Sequence, residues 1–207
     1  MKYLSNGTFT HKQEDKIGVL ITNLGTPQAP EKGALKRYLR EFLSDPRVVE
    51  VPKLLWWMIL NLVILNIRPK RSAHAYSTVW TERGSPLMFH TQDQAAALTL
   101  SMKEKYGDKV VVDFAMRYGS PSIKSVTQNM LEQGVRQLLV LPLYPQYSGA
   151  TNGSTFDALG GVLRQTRWIP DVRFISHYHD FGPYIDALVK SIESHWASNG
   201  RADKLIF

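Results

Sequence analysis

Short apolar runs without polar alternation recur along this chain, and they narrow its fold more than any other feature. The clearest lies in "KIGVLITNLG", where Ile17 to Thr22 is closed by Gly25 and Pro27. Lys109–Met116, Gln137–Leu143, Val172–Ser176 and Asp203–Phe207 repeat the pattern. A strand with one face in water alternates, whereas a strand covered on both faces does not. These runs therefore predict strands sandwiched between helices. The intervening segments carry apolar residues at helical spacing. Leu35, Tyr38, Leu39 and Phe42 form one stripe, and Ala95, Leu98, Met102 and Tyr106 a second. Ile123, Val126 and Met130 form a third, and Ile185, Leu188, Ile192 and Trp196 a fourth. All four are expected to pack into the core. Strands alternating with helices call for an α/β fold, an open parallel sheet with helices on both faces.

Sheets of this kind gather their ligands at the carboxyl ends of the strands. The residues following the runs are polar and aromatic: Asn23-Leu24-Gly25-Thr26-Pro27, Arg117-Tyr118-Gly119-Ser120, Tyr144 through Gly153, and His177-Tyr178-His179-Asp180. That edge is the expected site. It is not a common nucleotide site, because no G-x-G-x-x-G follows the first run and no G-x-x-x-x-G-K-[ST] occurs. Gly149–Ser154 reads as a capping loop, with Ser154 or Thr155 near a helix start, or as a nest for an anion. His177 and His179 would share a face of an extended segment, but without a third ligand they read as exposed loop histidines. There is no H-E-x-x-H, no catalytic thiol and no G-x-S-x-G elbow.

The chain has 207 residues and no cysteine, which excludes disulfides, thiolate metal sites and a cysteine-held iron–sulfur cluster. Lys and Arg number 25 against 18 Asp and Glu, so the formal charge of +7 favours an anionic partner. No nucleic-acid motif accompanies that charge, and none of that class is expected as a partner. The polar start "MKYLSNGTFTHKQEDK" lacks a signal-peptide core, so residues 1–15 are expected to be a flexible arm and the protein cytoplasmic. The sequons at Asn6 and Asn152 read as chance matches. Leu54–Ile67 is apolar except at Asn61 and Asn66, and it runs into Arg68, Lys70 and Arg71. It is too short to span a bilayer, which takes about 20 residues. It reads as a core helix, or as an apolar lip facing a flat ligand or membrane surface with the cations at its rim.

Taken together, "VLITNLGTP", "YLREFLSDPRV", "AYSTVWTERGSPL", "MRYGSPSI" and "LPLYPQYSGATNGSTFD" resemble, in that order, the N-terminal half of a bacterial ferrochelatase. The resemblance implies one of two similar Rossmann-like, chelatase-type halves, spanning residues 16–202. It implies an enzyme that inserts Fe²⁺ into protoporphyrin IX to form protohaem, with Fe²⁺ as a substrate and no tightly bound cofactor. A tetrapyrrole is a broad apolar disc with anionic propionates, which accounts for an aromatic loop at a strand end. By position, Leu24, Ser85, Arg117, Tyr118, Tyr144, Gln146, Tyr147 and Ser148 match residues that border the porphyrin. Leu24 has no donor atom for a metal and is assigned to packing. Arg68, Lys70 and Arg71 fall near the family's propionate-binding cations and form the expected propionate or membrane rim.

The family's catalytic histidine and glutamate would follow the run at 203–207. No catalytic or metal-ligating residue is therefore assigned within this chain, and His11, His74, His90, His177, His179 and His195 are not put forward to replace them. The expectation is a porphyrin wall inactive by itself, self-associating through a face meant for the other half and in peripheral contact with the inner membrane. A cobalt or coproporphyrin chelatase and a non-catalytic porphyrin-binding module are the alternatives. Against cobalt and sirohydrochlorin stands the wide apolar stretch at Leu54–Ile67, since a ligand with many carboxylates calls for more cations.

Overall fold

The computed structural model describes Tyr3 and residues 14–206. The expected arm, residues 1–15, thus lies almost wholly outside the described residues. The sheet has four parallel strands: β1 (Lys16–Gly25), β2 (Val110–Tyr118), β3 (Val135–Pro142) and β4 (Asp171–Phe174), in the order β2-β1-β3-β4. Four of the apolar runs are therefore strands. Leu143 and Ile175 extend the pairing past the strand ends, donating to the carbonyls of Thr22 and Val140 at 2.8 and 3.0 Å. The fifth run is corrected. Asp203–Ile206 is exposed and pairs with no strand, while Phe207 lies outside the described residues. An apolar run becomes a strand only where a neighbouring edge takes up its backbone hydrogen bonds.

The helices are α1 (Lys32–Leu43), α2 (Lys53–Met58), α3 (Leu65–Val79), α4 (Pro86–Tyr106), α5 (Ile123–Glu132), α6 (Ser154–Leu163) and α7 (Gly182–Asn199). Asp171, Val172 and Arg173 of β4 are exposed, but over β1, β2 and β3 both faces of the sheet are covered, as expected. On one, Leu20, Ala115, Leu138 and Val140 meet Ile123, Val126 and Met130 of α5 and Leu159 of α6. On the other, Val19 and Ile21 meet Ala95 of α4, with Leu98, Val112, Phe114 and Leu139 packed around them. A third cluster joins Tyr38, Leu39 and Leu43 of α1 to Leu60, Leu65 and Tyr118. Local sequence sets the helix starts. Ser122 and Ser125 form a reciprocal capping box ahead of α5, each hydroxyl accepting the other's backbone N–H at 3.1 Å. Pro86 opens α4, where its missing N–H costs nothing.

Two stripes depart from expectation. In α4, Ala95 is buried but Met102 is half-buried and Tyr106 exposed. In α7 no residue is buried: Ile185 and Leu188 are exposed, and Ile192 and Trp196 half-buried. Helical spacing produces a one-sided helix but does not supply the surface that covers it.

Leu54–Arg71 is not an ordinary core helix. Its path is α2, a π-helical turn at Ile59–Ile64, and α3. Leu60 and Leu65 are both buried, at 1% and 0% exposure. Five residues apart, they would lie about 140° from one another around an ideal α-helix. The wider π turn inserts a residue and brings both to the core side. Leu54, Leu55, Trp57, Met58, Ile59, Leu62, Val63 and Ile67 remain exposed.

Gly25 closes β1 with φ +107°, and a Cβ there would sit 1.9 Å from the carbonyl oxygen of Tyr118. Gly25→Ala meets both a left-handed backbone and a backbone clash, so it should destabilise the fold by more than about 1 kcal/mol. Thermal unfolding checks this, and an unchanged midpoint would show that the two strand ends do not touch.

Candidate functional site

The strand order reverses its direction of winding between β1 and β3, and open sheets of this order hold ligands at that switch point, beyond the carboxyl ends. The β1 loop begins with Asn23 and Leu24. Asn23 Nδ2 donates to Thr91 Oγ1 at 3.0 Å and its Oδ1 accepts the Leu24 N–H at 2.8 Å, tying the strand end to α4. Leu24 is half-buried against the cluster of Tyr38, Leu39 and Tyr118. Ser85, buried, precedes α4, and its carbonyl accepts the N–H groups of Met88 and Phe89 at 3.0 and 3.1 Å. From β3 come Tyr144, half-buried, and Gln146, Tyr147 and Ser148, all exposed. The Tyr144 hydroxyl is buried without a hydrogen-bond partner. Burial, then the neighbouring Tyr118, push its pKa up, while the Arg117 charge pulls the other way.

Arg117 and Tyr118, at the end of β2, converge on a group that motif reasoning did not single out. Asp45 follows the C-terminus of α1 and is 4% exposed at its side chain. Its Oδ2 accepts Arg117 Nη2 and Ser154 Oγ at 2.5 Å each and the Tyr118 hydroxyl at 2.8 Å. Its Oδ1 accepts the Arg47 N–H at 2.8 Å. Arg117 Nε also reaches Ser154 Oγ at 2.6 Å and the Ser154 carbonyl at 3.0 Å. Beside this centre, Arg47 forms a two-bond pair with Asp157 at 2.7 and 3.1 Å. Burial alone would raise the Asp45 carboxyl. The hydrogen bonds from Ser154, the Arg47 N–H and Tyr118, with the Arg117 charge, outweigh it and hold the group below its ordinary value. Tyr118 is pushed up to about 12, chiefly by burial and next by its bond to Asp45, against the opposing pull of Ser154 and Arg117.

Gly149–Ser154 proves to be a structural loop. The N–H groups of Thr151 and Gly153 bond to the Ser148 carbonyl, Asn152 Oδ1 accepts the Ser148 N–H, and Asn152 Nδ2 reaches the Ser176 carbonyl at 3.0 Å. These bonds turn the Thr151 and Gly153 N–H groups inward, which favours the structural reading of the loop. Neither Ser154 nor Thr155 caps α6, since Ser154 turns to Asp45 instead. His177 and His179 are exposed neighbours, their rings 5.6 Å apart, and no group of three or more metal-binding side chains occurs among the described residues.

The motif residues thus fall into separate places. Arg117 and Tyr118 share the Asp45 centre, with Leu24 packed beside Tyr118 and Tyr144 within electrostatic reach of both. Arg68, Lys70 and Arg71 are exposed on α3, where Arg68 and Arg71 line a separate groove of ≈500 Å³ with Val63, Ile64, Ile67, Ser72 and Ala75.

The relatives decide the kinship of this chain: the ferrochelatase family's sequence model matches residues 16–207. The chain belongs to the ferrochelatase family. It is 88% identical over its whole length to a ferrochelatase of Pseudoalteromonas atlantica, covering 58% of that protein. It is 64% identical over its whole length to one of Idiomarina loihiensis, covering 57%, and 60% identical over 206 residues to one of Teredinibacter turnerae, covering 56%. The chain therefore spans under three fifths of these curated relatives. The chelatase-type α/β fold and the ferrochelatase resemblance read from the motifs stand.

Asp45 should dominate the acid limb of stability. Its pKa is depressed in the fold, so its contribution is present above the unfolded value near ~3.9 and is lost as pH falls through the folded value. Asp45→Ala should cost about 3 kcal/mol at neutral pH, because it leaves Arg117 buried without its acid. Against a wild type that weakens in acid below about pH 4, the variant's urea midpoint should change less with pH. Parallel acid limbs in the two proteins would remove Asp45 from this role.

Proposed function

We propose that this chain supplies the porphyrin-facing wall of a ferrochelatase, which inserts the substrate Fe²⁺ into protoporphyrin IX to form protohaem. The carrying observation is the β1/β3 switch point. Leu24, Tyr144 and Tyr147 offer apolar and aromatic surface there, and Arg117 is the cation held at its floor. Leu24, Ser85, Arg117, Tyr118, Tyr144, Gln146, Tyr147 and Ser148 are the proposed lining, with Tyr118 acting from beneath, since it is fully buried. A broad disc with two propionates needs apolar contact over most of its area and a few fixed donors for its anionic edge.

Metal insertion needs a lone pair exposed by bending the ring and a base for each pyrrole N–H that leaves. The polar groups described at this edge serve the first need. Asp45 has both oxygens engaged, by four donors in all, and Tyr118 stays protonated, as does Tyr144. They make a rigid wall against which a ring is held, and the base is assigned to the part of the enzyme outside this chain. Gln146, exposed at the turn, is the adaptable polar contact.

The second part of the reading is a cytoplasmic enzyme resting on the inner membrane. No helix among the described residues is long and apolar enough to cross a membrane. The exposed face of Leu54, Trp57, Leu62 and Ile67 beside Arg68, Lys70 and Arg71 instead supports insertion into an anionic leaflet. Each cation near such a surface contributes about 1 kcal/mol before screening.

Titrating the chain with protoporphyrin IX should quench tryptophan fluorescence to a saturable 1:1 end point. Leu24→Glu should weaken binding at least about tenfold by placing a carboxylate against the disc and its propionates. Equal affinity for the two proteins would move the porphyrin away from β1. In a vesicle sedimentation assay, phosphatidylglycerol should retain the chain better than phosphatidylcholine, and salt should release it. Replacing Arg68, Lys70 and Arg71 by Gln should remove that preference, and indifference of the unmodified chain to lipid charge would end the membrane reading.

A further inference from the structure

Asp45 and Arg117 are unequally occupied. Both oxygens of Asp45 are engaged, Oδ2 by three donors and Oδ1 by one. Arg117 is engaged along only part of its guanidinium. Nε meets Ser154 and Nη2 meets Asp45, while Nη1 makes no hydrogen bond among the described residues and the side chain keeps 18% exposure. Its Cζ lies 4.5 Å from the centre of the Tyr118 ring. A planar guanidinium fixed at two nitrogens and flanked by a ring has one orientation left to it, and its free N–H groups are then aimed before any ligand arrives.

We propose that Asp45 is a positioning residue: its carboxylate, with Ser154, locks the Arg117 guanidinium so that the unengaged Nη1 end is presented to the anionic group of the ligand. The role of that ligand rests on the porphyrin reading above, but the locking of Arg117 does not. Asp45 is given no base role, because three donors crowd Oδ2, a fourth holds Oδ1, and the Arg117 charge beside them favours the ionised form. It does not act as a second anion site, because its charge offsets part of the arginine's. That offset has a use. An uncompensated buried guanidinium would bind any small anion, whereas a partly neutralised, oriented one favours a carboxylate that also brings apolar surface. Three segments meet in this arrangement, the end of α1, the end of β2 and the start of α6, so the orientation of one side chain is set by tertiary structure.

The test uses the ¹⁵N-labelled 207-residue chain. The side-chain Nε–H signal of Arg117, assigned by its loss in Arg117→Lys, should exchange slowly with water. In Asp45→Asn, which keeps the shape but loses the charge and one acceptor atom, exchange should quicken by at least about tenfold while backbone amides far from the site keep their protection. Ser154→Ala, which leaves the acid in place and removes one acceptor of Nε, should quicken it too and serves where Asp45→Asn fails to fold. Protoporphyrin IX titrations then complete a double-mutant cycle. Asp45→Asn alone should weaken binding about tenfold, but should add less than about twofold once Arg117→Lys is present. Unchanged Arg117 exchange in a folded Asp45→Asn or Ser154→Ala, or losses that simply add, would overturn the proposal. If exchange quickens as expected and the unmodified chain binds no protoporphyrin IX, the locking stands and the porphyrin reading fails.

Discussion

One buried carboxylate organises the carboxyl edge of the sheet in this chain. Asp45 sits where the end of α1, the end of β2 and the first residue of α6 come together; β2 sends it Arg117 and Tyr118, α6 sends Ser154, and the turn after α1 gives the Arg47 N–H. A buried anion is tolerable when its oxygens are hydrogen-bonded and a cation is near, and here both conditions are met within one group. The cost of undoing any one contact is raised by the others, since each lost donor exposes charge in a medium that solvates it poorly. That coupling holds the three segments in one fixed arrangement.

The same centre restrains the chain that leads into the exposed apolar helix. Asp45 accepts the N–H of Arg47, and the Arg47 side chain pairs with Asp157 on α6. Trp56 is tied back by its indole N–H, which donates to the Leu43 carbonyl at 2.6 Å. The π turn then sends Leu60 and Leu65 to the core and leaves much of the remaining apolar surface outward. Were the run a regular α-helix, one of those leucines would turn away and the seam would be lost. The segment therefore has a fixed root and an exposed apolar outer face.

Some of this was legible in the sequence because its causes are local. Strands covered on both faces must be apolar without alternation, so β1, β2 and β3 show at Ile17, Val110 and Leu138, while β4 shows at Val172 although it lies exposed at the sheet edge. The helix stripes of α1 and α5 show for the same kind of reason, and the polar and aromatic residues after each strand mark the carboxyl edge. The run at Asp203 and the stripe of α7 mislead because burial belongs to a pair of surfaces, and a sequence describes only one of them. For Leu54–Arg71 the side on which Leu60 and Leu65 fall turned on a single π turn, which hydropathy does not encode.

What the sequence by itself determined was the order of elements, their sidedness, and the identity of the loops that crowd one edge. It also carried the ferrochelatase motifs whole. What only tertiary structure decided was the chemistry between those loops. Asp45 stands 72, 73 and 109 positions from Arg117, Tyr118 and Ser154, and nothing in the residues near it predicts those partners. A hydrogen bond needs its atoms within about 3 Å and correctly aligned. Strand order and helix crossover, fixed by the packing of the whole chain, decide which distant side chains reach that separation.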